Sequence, residues 1–269
     1  MEQILKYPGA KTRLAPWLLS FVPEHNVYLE PFFGSGALFF NKQPSKIETI
    51  NDIDGEVCNL FRAIRQQAEE LAKLVEMTPY SREEYERAYI VQESDDEVEK
   101  ARKFLTRCWQ GMGSSNVYKN GFRSSQQSGS PRTTKHWAEV PDRILQAAER
   151  LKMAQIESLD AVELMGRYDT PDVFIYLDPP YLPGIRKGYL YKHEMKEEDH
   201  RRLLMTAVKH PGKILISGYD SALYNEILNG WNKEKREAQA EGGAKRIETV
   251  WYNYDLSYQM KLKIAEGKG

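Results

Sequence analysis

Two adjacent prolines one residue past a fully apolar run constrain this chain more than any other feature in it. Val173-Phe174-Ile175-Tyr176-Leu177 has the continuous apolar character of a strand buried on both faces of a parallel sheet. Asp178-Pro179-Pro180-Tyr181 follows at once. Neither proline has an amide to give to a strand ladder, so the chain must break off at the carboxyl edge of the sheet. Open α/β sheets bind their ligands at that edge. A carboxylate, rigid backbone carbonyls and an aromatic face are thereby brought together. An amino group on a flat ring suits such a receptor: Asp178 and a proline carbonyl accept from the amine, and Tyr181 stacks on the ring. An ordinary strand-ending turn is the competing reading of these four residues.

Far upstream, Asn26-Val27-Tyr28-Leu29-Glu30-Pro31-Phe32-Phe33-Gly34-Ser35-Gly36-Ala37-Leu38 reads as a strand, a glycine turn and the start of a helix. Gly34 and Gly36 permit positive φ and a close backbone approach to a ligand. The helix expected after them would present its amino terminus to the same ligand. Lys46-Ile47-Glu48-Thr49-Ile50 alternates polar and apolar and stops at Asn51-Asp52-Ile53-Asp54, with a helical pattern from about Gly55. An acid roughly 20 residues past the glycine turn is the usual acceptor for ribose hydroxyls, which points to Asp52. Asp54 reads as the helix N-cap. A turn or capping role for Asp52 stays open. At the amino end, Leu5-Lys6-Tyr7-Pro8-Gly9-Ala10-Lys11 precedes a helix with Leu14, Trp17, Leu18 and Phe21 on one face. Gln155-Ile156-Glu157-Ser158-Leu159-Asp160-Ala161 reads as a short strand and a capped helix.

These motifs carry a resemblance. Asp178-Pro179-Pro180-Tyr181 is the signature of amino-directed DNA methyltransferases, and Pro31-Phe32-Phe33-Gly34-Ser35-Gly36 resembles the first S-adenosylmethionine motif of the DNA adenine methylases. The order is similar too, with the cofactor motif before a long insert and the Asp-Pro-Pro-Tyr motif after it, so the resemblance spans nearly the whole chain. It implies an α/β fold: a Rossmann-like methyltransferase sheet with an inserted, mainly helical target-recognition domain. The expected division is a catalytic domain of residues 1–57 and 152–269, with the insert at 58–151.

The resemblance further implies methyl transfer from S-adenosylmethionine to the N6 amine of an adenine extruded from double-stranded DNA, with no metal and no covalent enzyme intermediate. Asp178, Pro179, Pro180 and Tyr181 become the catalytic residues. Tyr7, Lys11, Glu30, Pro31, Phe32, Gly34, Gly36, Asp52, Asp160 and Asp178 become the cofactor set, with Lys11 facing the cofactor carboxylate and Asp160 accepting from its adenine amine. A capping role explains Asp160 equally well, and Pro8 and Ala10 stand where the family more often has small residues and glycine. Three alternatives remain at this stage. N4-cytosine methylation usually goes with Ser-Pro-Pro-Tyr, and glutamine or RNA methylation more often with Asn-Pro-Pro-Tyr. A DNA-binding module on a dead transferase fold is the third.

Composition agrees without deciding. The chain has 269 residues, 41% of them hydrophobic, enough for one α/β domain with an insert. Its net charge of −1 supplies no global basic field, so a DNA-binding face requires segregation of the 38 basic residues. Residues 109–137 are glycine- and serine-rich, carry Lys119, Arg123, Arg132, Lys135 and His136, and contain no Asp or Glu. They read as the recognition loop, with Asn116, Asn120, Gln126 and Gln127 to read base edges and Trp109, Tyr118, Phe122 and Trp137 interleaved. Arg186, Lys187 and Tyr189, in the loop after Tyr181, are further DNA-contact candidates. Cys58 and Cys108 match no metal spacing and read as buried thiols, consistent with a cytoplasmic protein. No run is apolar enough to span a membrane. The sequence does not fix the oligomeric state; a monomer is the favoured reading.

Overall fold

The computed structural model describes residues 1–113, 118–125, 133–182, 190–239, 245–257, 260–261 and 264. After a short helix α1 (Ala15–Leu19), the chain enters β1 (Val27–Glu30) and β2 (Ile47–Asn51). Among the described residues six helices follow: α2 (Gly55–Gln66), α3 (Ala68–Met77), α4 (Arg82–Arg87), α5 (Glu97–Gln110), α6 (Thr133–Ala138) and α7 (Val140–Leu151). The alternating part resumes with β3 (Ala154–Glu157), α8 (Ala161–Arg167), β4 (Val173–Leu177), α9 (Glu197–Lys209), β5 (Lys213–Tyr219) and α10 (Ala222–Ile227). A hairpin of β6 (Asn232–Gln239) and β7 (Lys245–Tyr252) completes it.

The seven strands form one sheet in the order β3-β2-β1-β4-β5-β7-β6. β3, β2, β1, β4 and β5 run parallel, and β7 joins β5 and β6 antiparallel. The chain winds outward from β1 to β3, then crosses back to lay β4 against the other side of β1. The carboxyl ends of β1 and β4 therefore flank the point where the strand order reverses, the place where open α/β sheets form a crevice. β4 is buried at all five positions, as its unbroken apolar run requires.

Alternation along the strands sorts the core into two layers. Tyr28, Phe174, Tyr176, Leu215 and Val250 face one side and merge with Phe61, Ile64, Phe104, Trp109, Ile144 and Leu151 from the helices between β2 and β3. Leu29, Ile175, Leu177 and Ile216 face the other, against Leu164, Leu203 and Tyr224 of α8, α9 and α10. Each such large side chain taken fully out of water contributes about 1.5–3 kcal/mol. Helix starts follow local rules. Asp54 accepts from the Glu56 amide at 3.0 Å, as expected of an N-cap, and Asp96 accepts from the Glu99 amide at 2.7 Å.

Two expectations are corrected. No helix follows the glycine turn. Residues 37–42 form a succession of turns, closed by Phe40 N donating to Gly36 O and Lys42 N to Leu38 O. Leu38, Phe39 and Phe40 are all buried there, and Pro44 bars Gln43 from helical geometry, so the segment is too short and too enclosed to wind further. Nor are residues 109–137 a loop throughout. Trp109 lies in the last turn of α5 with its indole donating to Ile4 O at 2.8 Å, and Trp137 lies in α6 with its indole donating to Thr78 O at 2.8 Å. Both rings are buried anchors, not exposed aromatics. Arg132, Arg186, Lys187 and Tyr189, with Asn116, Gln126 and Gln127, lie outside the described residues. Among the described residues no helix is long and apolar enough to cross a membrane, and no group of three or more His, Cys, Asp or Glu is placed to hold a metal.

Candidate active site

A cavity of about 420 Å³ opens at the switch point between β1 and β4. That size lies within the range of small-molecule pockets. Its walls include Tyr7, Lys11, Glu30, Pro31, Phe32, Gly34, Asp52, Asp160, Asp178 and Pro180, residues drawn from five separate stretches of sequence. Gly36, Pro179 and Tyr181 are not among the lining residues.

The glycine turn forms the floor. Gly34 and Gly36 have φ of +47° and +65°, which a side chain tolerates poorly. The Tyr7 ring packs on Gly34, with Cδ1 3.2 Å from where a Cβ would stand. A Cβ on Gly36 would lie 2.5 Å from Phe33 and 2.7 Å from Phe40, so this glycine serves close packing of rings behind the turn. Asp52 holds the turn from the neighbouring strand end: Oδ2 accepts from Gly34 N at 2.8 Å and Oδ1 from Asp54 N at 2.9 Å. Burial pushes its carboxyl up to about 7, against the pull of those two amides. Glu30, at the tip of β1, is raised to about 8, chiefly by burial, while the hydroxyl donated by Tyr28 at 2.7 Å works the other way. Asn51 was not singled out from the sequence, yet it ties three walls together. Its amide nitrogen donates to Pro31 O at 2.9 Å and Leu159 O at 3.1 Å, and its Oδ1 accepts from Leu159 N at 2.8 Å.

At the β4 end, Asp178 Oδ1 accepts from Lys11 Nζ at 2.9 Å and from Ser217 Oγ at 2.8 Å. Asp178 Oδ2 has no partner among the described residues. Burial alone would lower the Lys11 pKa, but Asp178 and Glu248 outweigh it and hold the ammonium well above its ordinary value. The same ammonium lies 4.6 Å from the centre of the Tyr181 ring, a cation–π distance. Tyr181 also meets the Tyr219 ring at 4.2 Å and donates its hydroxyl to Glu248 Oε2 at 2.9 Å. Glu248 is another residue missed from the sequence. Its signal was the alternation of β7, which sets Glu248 on the same side as the buried Val250 and Tyr252.

The far wall belongs to residues 191–195 and to α8 and α9. Tyr191 donates to Pro8 O at 3.2 Å, its oxygen standing 2.3 Å from where a Cβ of Gly9 would be. Gly9, at φ +69°, thus lets this segment close on the amino-terminal loop. Asp160 caps α8 through the Val162 and Glu163 amides, both at 3.1 Å, and pairs with Arg202 at 2.6 Å. Of the basic residues expected on DNA, Arg123 bonds Gly111 O at 3.1 Å, Lys119 stands 5.6 Å over the Tyr89 ring, and Lys135 is exposed, 3.7 Å from Glu139. Gly111 and Phe122 form an antiparallel bridge, with Met112 N donating to Gly121 O and Arg123 N to Gln110 O, both at 2.7 Å.

A mostly parallel seven-stranded sheet with a carboxylate-lined crevice at its switch point, and an Asp-Pro-Pro-Tyr corner on one rim, is the build of a Rossmann-like group-transfer enzyme. The chain belongs to the D12 class N6 adenine-specific DNA methyltransferases, whose family pattern matches residues 7–241, and it is therefore an adenine-specific DNA methyltransferase. This settles the target base among the alternatives left by the sequence.

Its relatives agree. The type II methyltransferase M1.LlaDCHI of Lactococcus lactis subsp. cremoris is 29% identical over 260 residues, covering 91% of this chain and 90% of that protein. The type II methyltransferase M.MjaIII of Methanocaldococcus jannaschii is 24% identical over 277 residues, covering 87% and 90%. The DNA N-6-adenine-methyltransferase of Escherichia phage P1 is 25% identical over 243 residues, covering 85% of this chain but 31% of the phage protein.

Proposed function

We propose that this enzyme takes its methyl group from S-adenosylmethionine held in the β1–β4 crevice and delivers it to an adenine extruded from double-stranded DNA. The observation that carries this reading is the pairing of a carboxylate-rich cavity with Asp178 on its rim. Glu30, Asp52, Asp54, Asp160 and Asp178 line the cavity together with Tyr7, Phe32, Ile53, Leu159 and Val162. Such a lining fits a ligand bearing a cation, hydroxyl groups and a flat ring. Asp52 is the acceptor for a ribose hydroxyl: each of its oxygens already takes one amide, and a carboxylate has about four acceptor positions. Tyr7, Pro31, Phe32 and Gly34 bound the body of the cofactor, and Glu30 faces it. Asp160, already a cap and an ion-pair partner, reaches its adenine end. Gly36 supports the turn from behind.

The cofactor, when bound, supplies an electrophilic methyl group. The chain's own part is to present the amine. The two N6–H groups donate hydrogen bonds to Asp178 Oδ2 and the Pro179 carbonyl, which aims the nitrogen lone pair at the crevice. Lys11 and Ser217 hold Asp178 by Oδ1, so its orientation precedes the substrate's arrival. Lys11 is thereby engaged with Asp178, and a part in holding the cofactor carboxylate falls to it only through that position. Tyr181 supports the base from its ring side, and Pro180 stiffens the corner. The rate gain comes from orientation and fixed electrostatics. Residues 58–151 act as the recognition insert, with Lys119, Arg123, Arg132 and Lys135, and Arg186, Lys187 and Tyr189 after the motif, as its DNA contacts.

The test uses the purified full chain, tritiated S-adenosylmethionine and unmethylated bacterial genomic DNA, followed by single-molecule sequencing of the product. N6-methyladenine in a fixed sequence context is expected, with no incorporation by Asp178→Ala although that variant still binds DNA. Incorporation at the wild-type rate by Asp178→Ala would remove Asp178 from the chemistry.

A further inference from the structure

We infer that Glu248, on the carboxyl-terminal hairpin, is a positioning residue for methyl transfer, fixing the plane of Tyr181 from the far side of the target-base seat. This rests on the reading of Asp178 and Tyr181 as that seat.

Tyr181 leaves the sheet on a corner stiffened by Pro179 and Pro180, which holds its backbone but leaves the ring free to turn about its side-chain bonds. The hydroxyl donated to Glu248 at 2.9 Å pins the opposite end of the ring. The ring is thereby fixed at both ends, and Tyr219 packs on it at 4.2 Å. Glu248 itself is held by the sheet. It stands opposite Tyr219 in the β5–β7 ladder and opposite Arg236 in the β6–β7 ladder, with only 7% of its surface exposed. A carboxylate is costly to bury, and a strand at this place would pack as well with threonine or valine. What Glu248 gains there is the Tyr181 hydroxyl on one side and attraction to the Lys11 ammonium on the other. The hairpin β6–β7 thus reaches into the chemistry although no motif lies on it.

The consequence is a loss in the transfer step with cofactor binding intact. Initial rates on unmethylated genomic DNA would be compared for wild type, Glu248→Ala, Glu248→Gln, Tyr181→Phe and the double variant Tyr181→Phe/Glu248→Ala, with Asp178→Ala run alongside. A hydrogen bond of this kind is worth about tenfold in rate. Glu248→Ala and Tyr181→Phe should each lower kcat by about that factor. Glu248→Gln, whose amide oxygen still accepts, should recover most of it. The double variant should be no worse than either single one, and calorimetric affinity for S-adenosylmethionine should stay unchanged throughout. Independent, multiplying losses would overturn the proposal, as would a Tyr181→Phe variant with full activity. Should Glu248→Ala not fold, Tyr181→Phe and Glu248→Gln still decide it, because the first must lose activity and the second keep it. A dead Asp178→Ala beside a fully active Glu248→Ala would sink this inference and leave the reading of the seat standing; an active Asp178→Ala would sink that reading instead.

Discussion

Asp52 spends one oxygen on the glycine turn and the other on the start of α2, so removing it has two separable effects. Asp52→Ala is expected to weaken S-adenosylmethionine binding by roughly ten- to a hundredfold, the worth of a hydrogen bond to a charged acceptor. Part of that loss would come from a slackened turn. Calorimetry with a cofactor analogue lacking the ribose hydroxyls separates the two. If Asp52 meets the ribose directly, the gap between wild type and variant should shrink for the analogue to the part due to the turn; an equal loss for both ligands would make Asp52 a loop anchor alone. Residues of this kind were legible because their signals are local. An acid at a strand end, a cap before a helix and prolines after a strand each follow from a few neighbouring positions. Glu248 and Asn51 were not legible, because their partners Tyr181, Pro31 and Leu159 come within reach only once the sheet is assembled. Lys11 was picked out, but its bond to Asp178 depends on the same long-range closure.

Among elements, the strand–turn after β1 behaves differently from the motif's usual image of a strand feeding a helix. The turn is held by Asp52 and by aromatic packing, with Phe33 against Phe39, Phe40 and Phe61 at 4.7–5.8 Å between ring centres. Gly36→Ala would place a methyl 2.5 Å from Phe33 in a left-handed conformation. The expected cost is at least about 2 kcal/mol of folding stability, from backbone strain and overpacking together. Chemical denaturation without cofactor measures it. Unchanged stability with weakened cofactor binding would return Gly36 to a purely ligand-facing role. Local pattern in the sequence recovered β1, β2, β3, β4, α2 and α8, since each carries its own apolar or capping signal. It missed α6 because that helix is short and held by one buried tryptophan.

The molecule as a whole should lose stability towards alkaline pH in a window set by two cavity acids. Glu30 and Asp52 are raised to about 8 and about 7, so the folded state keeps protons that the unfolded chain releases near pH 4. Their contribution is full below the unfolded values and disappears as pH rises through the folded ones. Above about pH 6.5, where the lowered His25 and His210 no longer work the other way, melting temperature is expected to fall up to about pH 8, and Glu30→Gln should flatten that fall. Groups held low, such as Glu48 and Asp160, act only in acid, outside this window. A melting temperature independent of pH across the interval would contradict the assignment.

The helices between β2 and β3 share one continuous core with a face of the sheet, Phe61, Phe104, Trp109 and Ile144 joining Tyr28, Phe174 and Leu215. Swapping residues 58–151 between related enzymes as a cartridge would strip that face and expose the rings behind the glycine turn. A graft of these helices would have to carry Phe33 and Phe40 along, because their rings pack on Phe61 of α2 and lose that contact when it is replaced.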